Sequence, residues 1–474
     1  MDEMKKEGEK AAQSEKPKSR VDRRDFLQGL ASIPVLGLFA YAARKQEAYV
    51  KAKKAELSSS RIPAGKLSDI NVALLGIGAQ GDVLLTSMLK IPGLRFRAVC
   101  DVWTEYNQKR AAGKLQKYNF KVNRYEDYRD MLAKEKDLDA VVIATPDFWH
   151  AEHAVACLDA GINVYCEKEM SNSLEGARKM VQAARRTGKL LQIGHQRRSN
   201  PRYLHCYEKL LKEANILGRI VTVYGQWNRA VQPDLGWPKR YEIPAAILRK
   251  HGFESMHQFC NWRWYRRLGG GPIVDLGSHQ IDIYSWFLGA QPKSVLASGG
   301  TDYYDRKTHE WYDTVMAVYE YDTASGRVRA QYKTQTTNSS LAYYESFMGD
   351  RGTLVLSESA KTGAVYREAS APSWDEWVRK GWISAPKIVE QKDETEAFMD
   401  VRETISPDEH KLTLQFYDPY HKPHLENFFN AIRGLEKLNC PGEVGFETAV
   451  SVLKVNQAIE AGRRLEFDPK EFVV

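Results

Sequence analysis

The apolar run Ile70-Asn-Val-Ala-Leu-Leu75, followed at once by Gly76-Ile-Gly78-Ala79-Gln80-Gly81, leaves this chain few choices of fold. The run reads as a buried strand, and the residues after it carry a helical pattern through Lys90. A second strand, Phe96 to Cys100, ends at Asp101, twenty residues after Gly81. Strand, glycine loop, helix, strand and terminal acid in so short a unit form an arrangement that cradles a dinucleotide. Gly76 permits the tight turn, Gly78 lets the backbone approach a pyrophosphate, and Gly81 lets the helix sit close to the strand. Ala79 and Gln80 open that helix, whose unpaired N-terminal N–H groups face the phosphates. Asp101 is placed to accept hydrogen bonds from the adenosine ribose. Its charge opposes a 2′-phosphate, so NAD is expected rather than NADP.

The alternation continues downstream. Asp139 to Ala144 reads as a fourth strand, ending in Thr145-Pro146-Asp147-Phe-Trp-His150 and a helix to Ala160. Asn163 to Cys166 is a fifth strand, ending at Glu167-Lys168, and Leu190 to Gly194 a sixth. Such a series predicts a doubly wound parallel sheet over residues 68–196, with ligands at the carboxyl ends of its strands. Thr145, Pro146, His150, Glu167 and Lys168 all fall at those ends and are candidates for holding the cofactor.

Past Gly194 the alternation stops, and residues 197–474 predict an α+β domain with a mostly antiparallel open sheet. A helix is expected over Pro201 to Ala214. Strands are expected over Arg219 to Trp227, Ser294 to Thr301, Thr314 to Tyr321 and Arg327 to Thr334. In Gly269-Gly-Gly271-Pro272-Ile-Val-Asp275-Leu-Gly-Ser-His279-Gln-Ile-Asp282 the proline marks a helix start. Asp275, His279 and Asp282 then share one helical face. Oxidation of a secondary alcohol needs a proton acceptor at the oxygen and a cation to steady the developing charge. His279, expected to titrate near neutral pH, suits the first task, with Asp275 orienting it or binding a neighbouring hydroxyl. Lys168 suits the second. Arg197, in the segment after the sixth strand, and Trp262, Arg263 and Tyr265, just before the glycines, are candidates for the substrate wall. His195 shares the Arg197 segment, with a hinge role equally open to both.

Residues 1–43 form a leader. Arg23-Arg24-Asp-Phe26-Leu27 abuts an uncharged stretch to Ala43, broken by Gly29, Pro34 and Gly37, which suits a signal region better than a membrane span. It resembles the twin-arginine export signal. Residues 44–67 read as a linker. Export to the periplasm by the twin-arginine machinery is expected, with the leader either removed or kept as an anchor. The net charge of +8 is spread over 69 basic and 61 acidic residues, with no basic block interleaved with aromatics, so no nucleic-acid partner is expected. The six cysteines lie far apart without metal-ligand spacing, so neither a zinc site nor a disulfide framework is expected.

Taken together, GIGAQG, Asp101, TPDFWH, Glu167-Lys168 and GGGPIVDLGSHQID resemble the Gfo/Idh/MocA oxidoreductases, from residue 68 to the C-terminus. The resemblance implies a Rossmann domain, then a domain whose open sheet carries homo-oligomer contacts and one wall of the substrate site. It implies pyridine-nucleotide chemistry on polyols, sugars or their derivatives, with the catalytic roles falling on Lys168, Asp275 and His279. Glu169 stands where the family usually has proline. The expected activity is hydride transfer between a ring hydroxyl of a sugar or glycoside and NAD. Two alternatives share these motifs: glycoside cleavage through transient oxidation, and a sugar-sensing relative without catalysis.

Overall fold

The computed structural model describes residues 68–387, 407–414 and 416–474; the leader and the linker lie outside them. Six strands, β1 (Ile70–Leu75), β2 (Leu94–Cys100), β3 (Asn123–Tyr125), β4 (Ala140–Ile143), β5 (Asn163–Cys166) and β6 (Leu191–Ile193), form one sheet. Their order is β3-β2-β1-β4-β5-β6, and every pairing is parallel. The central strands are nearly continuous apolar runs because helices cover both faces, while β2 exposes Arg95 and Arg97. β4, for example, is buried along its whole length. The strand order reverses between β1 and β4, so the crevice of such a sheet opens there, between Gly76 and Thr145.

On one face, helices Asp147–Asp159 and Leu174–Thr187 pack over Ala73, Val141, Ile143 and Val164. On the other, helix Ala79–Met88 is joined by helix Lys422–Ile432, which inserts Leu425, Phe428 and Phe429 among Val72, Leu74, Val142 and Tyr165. Residues 197–474 are therefore not all in the second domain, since this late helix completes the core of the first. Each of its fully buried apolar side chains is worth about 1.5–3 kcal/mol by area. Arg433 fastens the end of the helix by donating to the Ser68, Pro92 and Gly93 carbonyls.

The second sheet has ten strands: β7 (Ile220–Asn228), β8 (Pro292–Gly300), β9 (Thr314–Thr323), β10 (Gly326–Gln335), β11 (Tyr343–Gly349), β12 (Gly352–Leu356), β13 (Gly363–Arg367), β14 (Ile383–Pro386), β15 (Asp408–Leu412) and β16 (Leu465–Glu466). Its order is β14-β15-β13-β12-β11-β7-β10-β9-β8-β16, with β7 and β10 parallel and the other pairs antiparallel. Strict alternation in β9 and β10 turns Val315, Ala317, Tyr319, Val328, Ala330 and Tyr332 inward. There they meet helices Gly271–Leu288 and Gly442–Ala461, while Leu296, Met316 and Val318 are exposed on the other face. Residues 201–214, expected as one helix, form a short α-helix over Pro201–His205 that continues as a wider π-helical turn over Cys206–Glu213.

Candidate active site

A cavity of ≈ 830 Å³ runs from the glycine loop, past the carboxyl ends of β4 and β5, to the start of helix Gly271–Leu288. At its first end, Gly76 has φ +85°, and a Cβ there would lie 2.7 Å from Ala144 and Thr145. A Cβ on Gly81 would lie 2.2 Å from the Gly76 carbonyl oxygen, so this position alone decides how closely helix meets strand. Gly78 differs, because a Cβ there would meet nothing within 4 Å. It faces open cavity at the N-cap of helix Ala79–Met88, where the first N–H groups lack helical partners. Asp101 is buried at the end of β2, accepting from the Ile77 and Trp103 N–H groups at 2.7 and 2.8 Å. Burial raises its carboxyl from the usual range, against the pull of those two N–H groups. The cradle at Gly78 and the fixed carboxylate fit the pyrophosphate and ribose of a dinucleotide. Gln80 donates to Glu167 at 3.2 Å and lies 2.9 Å from His421 Nε2, so the turn before the late helix also borders this end.

At the other end, Lys168 Nζ donates to the Asp275 carbonyl at 2.5 Å and to its carboxylate at 3.0 Å. The Lys168–Glu169 peptide bond is cis. Arg263 Nε lies 3.2 Å from the same carboxylate, and Arg229 Nη1 4.0 Å from its other oxygen. Burial alone would raise the Asp275 carboxyl, but Lys168, Arg263 and Arg229 hold it well below the ordinary range. His279 lines the cavity one turn along the helix, with its ring 5.4 Å from that of Trp227. Its Nδ1 has no hydrogen-bond partner among the described residues. Burial, then the charges of Lys168 and Arg197, hold it well below 6.5, so the ring is a neutral base and does not titrate near neutrality as expected. Nor does Asp275 orient it, because that carboxylate is committed to Lys168 and the arginines. Asp282, on the same helical face, is taken by Arg198 and Thr448.

Thr145, Pro146, Glu167 and Lys168 line the cavity, as do Trp262 and Arg263. Gly81, which packs helix against strand, does not line it, and neither do His150, Arg197, Tyr265 and His195. His150 sits behind the wall, its ring nitrogens 2.7 and 2.6 Å from the Glu169 and Thr145 carbonyl oxygens, and so ties together the loops after β4 and β5. Arg197 is 1% exposed, with Nε 3.0 Å from Glu358 and a terminal nitrogen bonded to Glu345. An arginine leaving β6 finds those carboxylates before it reaches the cavity; its role is to hold Glu358, which does line it. Tyr265 points away and meets His257 Nδ1 at 2.8 Å. His195 is buried off the cavity, with neither ring nitrogen partnered among the described residues.

Trp264, inside the expected aromatic segment, lines the cavity, and so do Asp147, Trp227 and Arg229, which the sequence did not mark as site residues. Asp147 lay inside the quoted TPDFWH segment, where only its neighbours were weighed. Burial pushes its carboxyl up to about 7, against the lowering influence of Arg263 and Lys168.

Two family models match this chain. The oxidoreductase family with NAD-binding Rossmann fold matches residues 70–195, and the Gfo/Idh/MocA C-terminal domain matches residues 209–355. Together they span more than half of the sequence, and the chain belongs to the Gfo/Idh/MocA family of oxidoreductases, with NAD as its cofactor. Inositol 2-dehydrogenase of Rubrobacter xylanophilus is 26% identical over 324 residues, 68% of this chain and 79% of that protein. Inositol 2-dehydrogenase of Salmonella typhimurium is 29% identical over 197 residues, 40% of this chain and 55% of that protein. A levoglucosan dehydrogenase solved with NADH shares the fold at TM-score 0.61 and 16% identity, covering 85% of this chain and 100% of its own.

Proposed function

We propose that the protein oxidises a ring hydroxyl of a sugar or glycoside, with reduction of a carbonyl as the reverse reaction. The observation that carries this reading is the Lys168–Asp275 pair, set beside a neutral His279 at the far end of a dinucleotide cavity. The inositol and levoglucosan dehydrogenases named above support it. NAD supplies the hydride acceptor. Lys168 donates to the substrate oxygen and steadies the charge that gathers as the O–H bond weakens, with Asp275 holding its ammonium in place. His279 takes the hydroxyl proton on its neutral ring. Trp227, Trp262 and Trp264 add aromatic surface to this end of the cavity. Incubating the enzyme with a glycoside panel tests this: a product lighter by two hydrogens is expected. Release of free monosaccharide without a keto-sugar would favour cleavage through transient oxidation instead.

The arginine pair in the leader and the uncharged stretch after it support twin-arginine export to the periplasm. An enzyme exported folded, with NAD loaded beforehand, would cycle on bound cofactor, taking hydride from the hydroxyl of one sugar and returning it to the carbonyl of another. Protein from the envelope should then carry close to one equivalent of NAD(H); cofactor-free protein would refute the cycle. The exposed Leu296, Met316 and Val318 face supports a homo-oligomer through the open sheet, to be read by light scattering.

A further inference from the structure

Resting on the reading of this cavity as a sugar-oxidising site, we infer that its sugar carries an anionic group, a carboxylate or a phosphate, received by Arg229 and Arg263 beside Asp275. Both guanidinium groups are stacked on tryptophan rings, Arg229 at 5.4 Å from the Trp227 centroid and Arg263 at 4.3 Å from that of Trp262. Stacking uses the faces of the cations and leaves the N–H groups around their rims for a partner in the plane. Arg263 spends its Nε on Asp275; the nearest approach of Arg229 to that carboxylate, 4.0 Å, is too long for a hydrogen bond. Among the described residues, no hydrogen bond takes the terminal nitrogens of either arginine. The two side chains are 40% and 43% exposed, and both line the cavity.

The ion pairs agree: three cations, Lys168, Arg229 and Arg263, converge on the one carboxylate of Asp275. Of the other acids of the wall, Glu167 is bonded to Gln80 and Tyr165, Glu358 to Gln196 and Arg197, and Asp234 to His257. Among the described residues neither they nor Asp147, pushed up to about 7, form an ion pair with Arg229 or Arg263. A neutral sugar would leave the arginine rims to water, whereas a carboxylate or phosphate matches two guanidinium forks with charge-assisted hydrogen bonds.

The test uses the full NAD-loaded chain and three methyl glycosides alike except at carbon six: the neutral alcohol, the uronate and the 6-phosphate. Binding is read by tryptophan fluorescence and turnover separately. At least tenfold tighter binding of the uronate or of the phosphate is expected, and whichever binds names the anion. Arg229→Gln should bring the anionic-to-neutral affinity ratio close to one, and Arg229→Lys should restore part of it. An anionic sugar bound tightly but never oxidised would support this inference while defeating the dehydrogenase reading. Neutral and anionic sugars bound equally, or a ratio untouched by Arg229→Gln, would overturn it.

Discussion

At its dinucleotide end the cavity is organised around a main-chain cradle, the bare backbone of Gly76 and Gly78 and the N-terminus of one helix, whereas around Asp275 it is charged side chains drawn from separate segments. The first end is specified within residues 70–101, by positions where a Cβ would not fit or would fill the cradle. The second needs Lys168 from the end of β5, Arg229 after β7, Arg263 from the turn before helix Gly271–Leu288, and Asp275 and His279 from that helix. A main-chain site depends on few side chains; a side-chain site fails when one partner goes.

The largest expected effect therefore lies at the second end. Lys168→Ala and His279→Ala should each lower turnover by roughly two to four powers of ten. NAD affinity should stay largely intact in the His279 variant, because that ring is remote from the glycine loop. Stopped-flow turnover beside calorimetric NAD titration measures both, and near-normal turnover in His279→Ala would erase the proposed division of labour.

Next is the core shared between the halves. Phe428→Ala empties a fully buried position beneath the nucleotide sheet and should cost about 3–5 kcal/mol in denaturant unfolding. If the cost is below about 1 kcal/mol, helix Lys422–Ile432 only rests on the first domain.

Acid should act through the histidines. His150, His153, His195 and His424 are held by burial to about 4, 3, 4 and 3, and His279 is also lowered. Their unfolded forms take up protons near 6.5 while the folded ones do not, so stability is lost as pH falls below 6.5. Asp147 and Glu169 pull the other way. Burial raises them to about 7 and about 8, so the folded state holds their protons and stability falls as pH rises from about 4 to about 8. Thermal melts across this range should show a maximum between the two slopes, and His424→Gln should flatten the acid limb. Unchanged melting temperature from pH 7 to 5 would contradict the assignment.

The smallest effect belongs to Asp101. NAD should bind at least about tenfold more tightly than NADP, about 1.4 kcal/mol, and Asp101→Asn should narrow the gap. Equal affinities in the unaltered protein would show that the carboxylate is spent wholly on Ile77 and Trp103.

The same contrast explains what could be read in advance. β1, β4, β5 and β6 are legible as short buried apolar runs, and β2, although Arg95 and Arg97 interrupt it, by its apolar end before Asp101. β3, Asn-Arg-Tyr with two exposed residues, carries no such signal. In the second half, β9 and β10 show period-two patterning and β7 and β8 are β-rich runs, but the shorter β11 to β16 carry no such signal. Lys168, Asp275 and His279 are legible through motifs and Arg263 through its aromatic segment, whereas Arg229 and the pairing of both arginines with Asp275 are not, since nothing local to either announces that carboxylate. Arg197 misled because a charged residue after a strand reads as available, although Glu345 and Glu358, far along the chain, take it.

The late helix under the nucleotide sheet also sets an order of events in biosynthesis. Leu425, Phe428 and Phe429 leave the ribosome long after β6, so the nascent Rossmann half waits with one face of its sheet partly uncovered. His421, beside Gln80, arrives with them. A chain stalled before residue 421 would therefore expose a greasy sheet to chaperones, with the Gln80 end of the cavity still lacking His421.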